Sequence, residues 1–156
     1  MDQKGSPLAL PYKLKFWYQH FVKGEDSFEE SLRPVAVLTT VEDFWAYYQH
    51  FKRPTDLPVG SYIYLFQENV KPVWEDDFNR NGGAFVLRFE KPKCDRLWED
   101  ILLGFIAAKP GVYTEVNGLR LKVKKDFAEI DFWIRHVDDE ILLERCRKWI
   151  VGVTGL

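Results

Sequence analysis

The sequence has only two cysteines, Cys94 and Cys146, in 156 residues. A disulfide scaffold uses more, and both fall in segments that read as helices. A reducing compartment is therefore expected, the cytoplasm, with the nucleus open as an alternative. No stretch approaches the roughly 20 continuous apolar residues that a membrane span needs, so no membrane association is expected. Met1 to Pro11 lacks a basic segment followed by a long apolar run, so no secretory signal is expected either. Histidines are few and scattered, at His20, His50 and His136, with no metal-ligand spacing among them. A Gly-x-Ser-x-Gly elbow, a P-loop and a dinucleotide fingerprint are all lacking, so no catalysis, metal or cofactor is expected. The acidic runs Glu75-Asp76-Asp77 and Asp138-Asp139 could hold a divalent ion, but a loop and a helix start are the simpler readings. An excess of positive charge is lacking too. Lys plus Arg total 22 against 24 Asp plus Glu, a net charge of −2. That excludes coating a nucleic acid through bulk charge, but leaves open a pocket for one nucleotide with a few local cations.

What the chain does have is aromatic side chains. Six Trp, seven Tyr and twelve Phe make up 16% of it, more than a core of this size requires. Trp serves both for packing and for stacking on flat ligands. The length fits one domain, read as residues 11–156 after a flexible arm over 1–10. Strand formers fill 12–22, Arg33 to Leu38, Ser61 to Phe66 and Ala84 to Phe89. Leu119 to Lys124 alternates, with Leu119, Leu121 and Val123 on one face and Arg120, Lys122 and Lys124 on the other. Ile130 to Arg135 pairs with it through the Asp126–Glu129 turn. A first helix is read from the Thr39-Thr40-Val41-Glu42 start through Phe51. A second starts at Asp95 and is stopped by Lys109-Pro110-Gly111. A last one opens at Asp138 or Asp139. Short strand-to-strand links without a strict βαβ rhythm imply an α+β fold, a curved, mainly antiparallel sheet with three helices on its convex face and a pocket on the concave side.

One segment carries chemistry. Lys71-Pro72-Val73-Trp74-Glu75-Asp76-Asp77, followed by Asn79-Arg80-Asn81-Gly82-Gly83, puts a large π-face beside a carboxylate in a loop bounded by Pro and Gly. N7-methylated guanine needs that pair. Its delocalised positive charge adds a cation–π contribution of about 0.5–2 kcal/mol to stacking, which is itself worth ~1–3 kcal/mol per base. A carboxylate can accept both N1–H and the exocyclic N2–H₂ of guanine, a donor pair that adenine does not offer. Taken alone, Trp74 as a core residue and Glu75 as a solvated loop charge is the simpler reading.

The rest of the chain changes that balance. Phe16-Trp17-Tyr18, Thr40-Val41-Glu42-Asp43-Phe44-Trp45, Leu65-Phe66, the Trp74 segment, Asn81-Gly82-Gly83, Arg96-Leu97-Trp98, Gly118, Val123-Lys124 and Ile130 to Trp133 occur in this order. In these features the sequence resembles the translation initiation factor 4E family, nearly end to end. Within it the chain looks most like the 4E-homologous branch of cap-binding translational repressors, through Arg53-Pro54-Thr55-Asp56-Leu57, the doubled Asp76-Asp77 and Asn79-Arg80-Asn81-Gly82-Gly83. The resemblance implies a non-enzymatic protein that binds the 7-methylguanosine cap of mRNA.

Residue by residue, the resemblance places the base between Trp74 and Phe28, with Glu75 on the base edge and the Trp74 backbone N–H serving guanine O6. Phe28 stands where the family has Trp or Tyr, which implies weaker stacking; its alternative is a residue packed under the loop. Lys124 takes the place of a phosphate-binding Arg, with Lys122 on the same strand face and Lys125 at its edge; for Lys125 a plain solvated lysine is the alternative. Asp126, Glu129 and Ala84 occupy other basic positions of the family, so fewer phosphate contacts are implied, and Lys lacks the bidentate geometry of Arg. On the helical face, Trp45, Val41, Leu103 and Asp100 match the surface that docks a partner helix carrying Tyr-x-x-x-x-Leu-hydrophobic. Glu99 departs from the family, replacing an apolar residue there. Trp17, Trp98, Trp133 and Trp149 read as core. Family members continue beyond the point where this chain ends, at Leu156, into another strand and a tail, so contacts to a second nucleotide are expected to be missing. A monomer is expected. The repressor reading competes with a translation-promoting factor using the same pocket, and with an interaction scaffold whose cap site has weakened. An enzyme of cap metabolism ranks behind all three.

Overall fold

The computed structural model describes residues 6–20 and 30–156. Phe28 lies outside the described residues. Six described strands, β1 (Ala9–His20), β2 (Leu32–Thr40), β3 (Ser61–Gln67), β4 (Gly83–Glu90), β5 (Val116–Val123) and β6 (Phe127–Ile134), form one antiparallel sheet in the order β2-β1-β3-β5-β6-β4. β1 begins two residues inside the segment expected to be an arm. Leu8 is tied down as well, because its carbonyl accepts from Val41 N at 2.8 Å and its N–H donates to Glu42 Oε1 at 3.0 Å.

Alternation along the strands sorts side chains between two apolar clusters. Leu14, Phe16, Leu65, Leu119, Ile130 and Phe132 face the helices α1 (Val41–Tyr48), α2 (Lys91–Ile106) and α4 (Glu140–Thr154), and with Phe44, Trp98, Phe105 and Ile150 they form the main core. Each such side chain, fully buried, contributes about 1.5–3 kcal/mol. α2 and α4 approach closely at Gly104, where a Cβ would come within 2.5 Å of Val153 Cγ1. The opposite face carries a smaller cluster of Leu32, Tyr62, Tyr64, Phe66, Val70, Val73 and Trp133, with Trp17 packed against it.

The α+β architecture is as expected, with some differences in detail. The Lys109-Pro110-Gly111 stop for α2 also starts a one-turn helix α3 (Pro110–Tyr113), because Pro is well suited to a first turn. α1 is capped by Thr40 and Asp43 rather than one residue earlier. Asp95 does not cap α2. It sits inside that helix and accepts instead from Thr55 N (3.0 Å) and Thr55 Oγ1 (2.7 Å), pinning the 3-10 turn over Pro54–Asp56. Of the two candidates for α4, Asp139 is the cap, accepting from Ile141 N and Leu142 N.

Candidate nucleotide site on the concave face

The loop from Glu68 to Gly82 folds back over the concave face, and hydrogen bonds to buried side chains fix it there. Asn79, 1% exposed, donates to the carbonyls of Lys71 and Val73, each at 2.9 Å. Asn117 on β5 donates to Asn79 Oδ1 (2.9 Å) and to Phe78 O (2.7 Å). Arg135 in turn donates to Asn117 Oδ1 through two nitrogens and lies 4.4 Å from the Phe78 ring. Asp76 accepts from Lys71 N and Phe78 N, closing the loop from within. Gly82 is required where the loop meets β6, since a Cβ there would lie 1.9 Å from Ile134 O.

This scaffold holds Trp74 on top of Trp133. The rings are 3.9 Å apart and inclined by only 7°. Trp133 is 2% exposed whereas Trp74 remains 44% exposed, so one aromatic face is backed by protein and the rest is open. Glu75 beside it is exposed, and its carboxylate has no hydrogen bond or ion pair among the described residues. Arg80, the nearby cation, pairs with Asp77 at 3.0 Å and donates only to the Glu75 backbone carbonyl. The Trp74 backbone N–H likewise makes no hydrogen bond among the described residues. A flat face, and a carboxylate and a backbone donor without partners among the described residues, thus stand together.

Two of the tryptophans read as core pack in the smaller cluster on this face. Trp133 lies under Trp74 in the second cluster, and Trp17 packs against that cluster with Lys15 Nζ 4.4 Å from its ring. The strand period explains the reassignment. Ile130, Phe132 and Ile134 face the helices, so Glu129, Asp131 and Trp133 must face the other way. Trp98 is in the main core, and Trp149 packs at its edge.

The cations of β5 share this face. Lys122 is opposite Tyr62 on one side and Glu129 on the other, with its Nζ 5.8 Å from the Tyr62 ring. Burial, then the neighbouring charges of Lys124 and Arg120, lower its pKa, a local field into which an anion would fit. Lys124 sits at the β5–β6 turn, half-buried, and Lys125 is exposed. Glu129, 8% exposed and 3.8 Å from Arg88, thins this positive patch.

Sequence reading missed the polar floor beneath. Arg120 Nε donates to Asp131 Oδ2 at 2.6 Å, and its terminal nitrogen pairs with the same carboxylate. Tyr64, opposite Arg120 in the register of β3 against β5, donates its hydroxyl to Gln19 Oε1 at 2.7 Å, and Gln19 Nε2 donates to Ser31 Oγ at 2.9 Å. The alternation that grouped Arg120 with Lys122 was the available signal, but nothing in it distinguished a structural cation from a ligand-facing one.

On the helical face, Trp45 is 42% exposed, and Val41 and Leu103 are half-buried. Asp100 pairs with Arg96 at 3.4 Å. Glu99 is occupied within the surface: it accepts from Tyr48 Oη (3.1 Å) and lies 3.8 Å from Arg53, joining α1 to α2. Among the described residues no cluster of His, Cys, Asp and Glu could hold a metal ion, and no helix is long and apolar enough to cross a membrane.

Comparison with known proteins is consistent with this geometry. The family model described as eukaryotic initiation factor 4E matches residues 9–154. A wheat (Triticum aestivum) protein, eukaryotic translation initiation factor NCBP, is 35% identical over 132 residues, covering 83% of this chain and 57% of the relative. Eukaryotic translation initiation factor 4E-4 of Caenorhabditis elegans is 32% identical over 150 residues, covering 94% of this chain and 71% of that protein. The chain therefore spans less than two thirds of the wheat relative's length. Among solved structures, Ascaris suum eIF4E-3 in complex with the m7G cap superposes with a TM-score of 0.90 at 28% identity, over 97% of this chain and 86% of that one. The matched family is one of translation factors rather than enzymes, and this chain belongs to the eukaryotic initiation factor 4E family.

Proposed function

We propose that the concave face binds the 7-methylguanosine cap of mRNA. The observation that carries this reading is the exposed Trp74 ring, backed at 3.9 Å by Trp133 and flanked by the Glu75 carboxylate, which is unpaired among the described residues. The base stacks on Trp74, and its positive charge strengthens that contact. Glu75 accepts N1–H and N2–H₂, the Trp74 backbone N–H serves O6, and Lys124, Lys122 and Lys125 meet the phosphates. Phe28 is the second stacking residue in this reading. The test is a titration of tryptophan fluorescence with 7-methyl-GTP, with GTP as the control. Saturable quenching is expected for the methylated nucleotide alone. Glu75→Ala removes a charged acceptor of two hydrogen bonds, at about 1.5–3 kcal/mol each, and should weaken binding at least tenfold. No quenching of folded wild-type protein by millimolar ligand would sink the reading.

The biological role proposed is translational regulation in the cytoplasm as a monomer. The protein would repress by competing with the general initiation factor for capped messages, through a partner whose Tyr-x-x-x-x-Leu-hydrophobic helix docks on Trp45, Val41, Leu103 and Asp100. The 42% exposure of Trp45 supports such a surface. A promoting role uses the same two faces and differs only in the partner. A scaffold with a weakened cap site is the second reading, favoured by Glu129 standing directly opposite Lys122.

A further inference from the structure

The floor under the Trp74–Trp133 stack contains a buried ion pair that stability alone does not explain. Asp131 is fully buried. Arg120 holds its Oδ2, while Oδ1 has no hydrogen-bond partner among the described residues. Burial raises the pKa of Asp131 and the Arg120 charge opposes that shift, so the carboxylate is not at ease in this environment. Buried pairs of this kind are weak stabilisers, and well-packed apolar residues often replace them without loss. An unpartnered carboxylate oxygen adds a further cost. The pair therefore has a use other than stability, in what it positions.

Arg120 occupies the centre of a row that crosses the sheet, with Tyr64 on β3 beside it on one side and Asp131 on β6 on the other. Its guanidinium carbon lies 5.4 Å from the centroid of the Trp133 ring, the same ring on which Trp74 is stacked. The Trp133 indole N–H has no hydrogen-bond partner among the described residues, so ring contacts, not a hydrogen bond, set its orientation. A planar guanidinium fixed by the Asp131 carboxylate is a stiff support for an aromatic ring. The Tyr64–Gln19–Ser31 hydrogen bonds extend that support across β1 to the start of β2.

We infer that Arg120 and Asp131 are positioning residues, which lock Trp133 in place and through it hold the Trp74 face ready for a base. The pair touches no ligand in this arrangement; it acts through the stack. The consequence for affinity rests on the reading that Trp74 stacks on a methylated guanine, whereas the consequence for ring geometry does not.

Two parallel indoles in contact give an exciton couplet in far-ultraviolet circular dichroism, and Trp74→Ala identifies that signal by abolishing it. The decisive variant is the double replacement Arg120→Met with Asp131→Leu, which removes the pair without stranding a charge. Its thermal midpoint should stay close to wild type, its couplet should shrink in the absence of ligand, and its Kd for 7-methyl-GTP should rise about 2- to 10-fold, the worth of one ordinary positioning interaction. An unchanged couplet with an unchanged Kd would overturn the inference, as would the absence of a couplet from the wild type. Should the double variant fail to fold, Arg120→Lys keeps the ion pair while losing the planar group over Trp133. A diminished couplet is expected there, and a wild-type couplet would refute the positioning role. A couplet that responds to these variants in a protein that never binds 7-methyl-GTP would keep the positioning role and discard the cap reading.

Discussion

A single side chain, Asn79, decides how firmly Trp74 is presented. It is buried and joins three groups of its own loop and of β5 by hydrogen bonds of 2.9 Å. Asn79→Ala would remove one donor from each of the Lys71 and Val73 carbonyls, which keep the Val73 and Asp76 backbone donors, so each loss costs about 0.5–1.5 kcal/mol. The expected result is a clear drop in the urea midpoint, together with a red shift of tryptophan emission as Trp74 lifts from Trp133. A variant with wild-type stability would show that water replaces the amide without loss. At this scale the sequence was half legible. Trp74 and Glu75 could be singled out only because the rest of the chain resembles the initiation factor 4E family; taken alone, the pair reads as a core residue and a solvated charge. Trp133 could not, since a Trp flanked by Ile130, Phe132 and Ile134 reads as one more core residue until the strand period assigns it to the opposite face. Arg120 was grouped with the lysines on period alone, and its partner Asp131 shows only in the register of β5 against β6.

Secondary-structure elements were more legible than their ends. The start of α1 shows why. Thr39 and Thr40 both precede an acid by three residues, so two capping boxes compete in the sequence. The fold selects Thr40 with Asp43, because Asp43 Oδ2 also accepts from Thr39 N at 2.9 Å, while Glu42 is drawn away to the Leu8 N–H. Thr40→Ala should therefore destabilise the protein by about 1 kcal/mol, and Thr39→Ala by less. These hydrogen bonds, that from the Thr39 backbone first, hold the Asp43 carboxyl below the ordinary carboxylate range, with burial opposing them. A depressed pKa in the folded state means stability that is present above about pH 4 and is lost as pH falls through the folded value. Thermal melts across pH 2–6 check the sign. The pH dependence should flatten in Asp43→Asn, and steepening there would contradict the assignment. Asp95 teaches the complementary lesson. It looks like a cap in sequence, yet the helix begins at Lys91 with Pro92 in its first turn, and the carboxylate is used across space on Thr55. Local patterns cannot reveal a competing partner 40 residues away.

Across the whole molecule, the sheet separates two surfaces: the Trp74 face with its cations, and the helical face with Trp45. Burial of the inward half of each strand makes that separation unavoidable; alternation showed it along β5, while Trp74 and Trp45 were assigned to the two surfaces only by the family resemblance. The charge distribution sets the last expectation. A net charge of −2 offers no long-range attraction to RNA, so in the proposed reading the electrostatic part of binding comes from Lys122, Lys124 and Lys125, with Glu129 opposing them. Each single-strand phosphate neutralised contributes a salt slope of about 0.7. Three such contacts would cost at most about 20-fold in affinity for a capped oligonucleotide between 50 and 200 mM salt, and two about 7-fold. Proteins that bind through bulk charge lose roughly a thousandfold or more over the same interval. The measurement is Kd against salt for a short capped RNA, repeated with Lys124→Ala. The slope should be shallow in the wild type and fall by less than one unit in the variant, with stacking on Trp74 supplying the salt-insensitive remainder. A slope above three would mean that the RNA chain, and not the base, provides most of the binding energy, and the concave face would then have to contact far more of the message than its few lysines can reach.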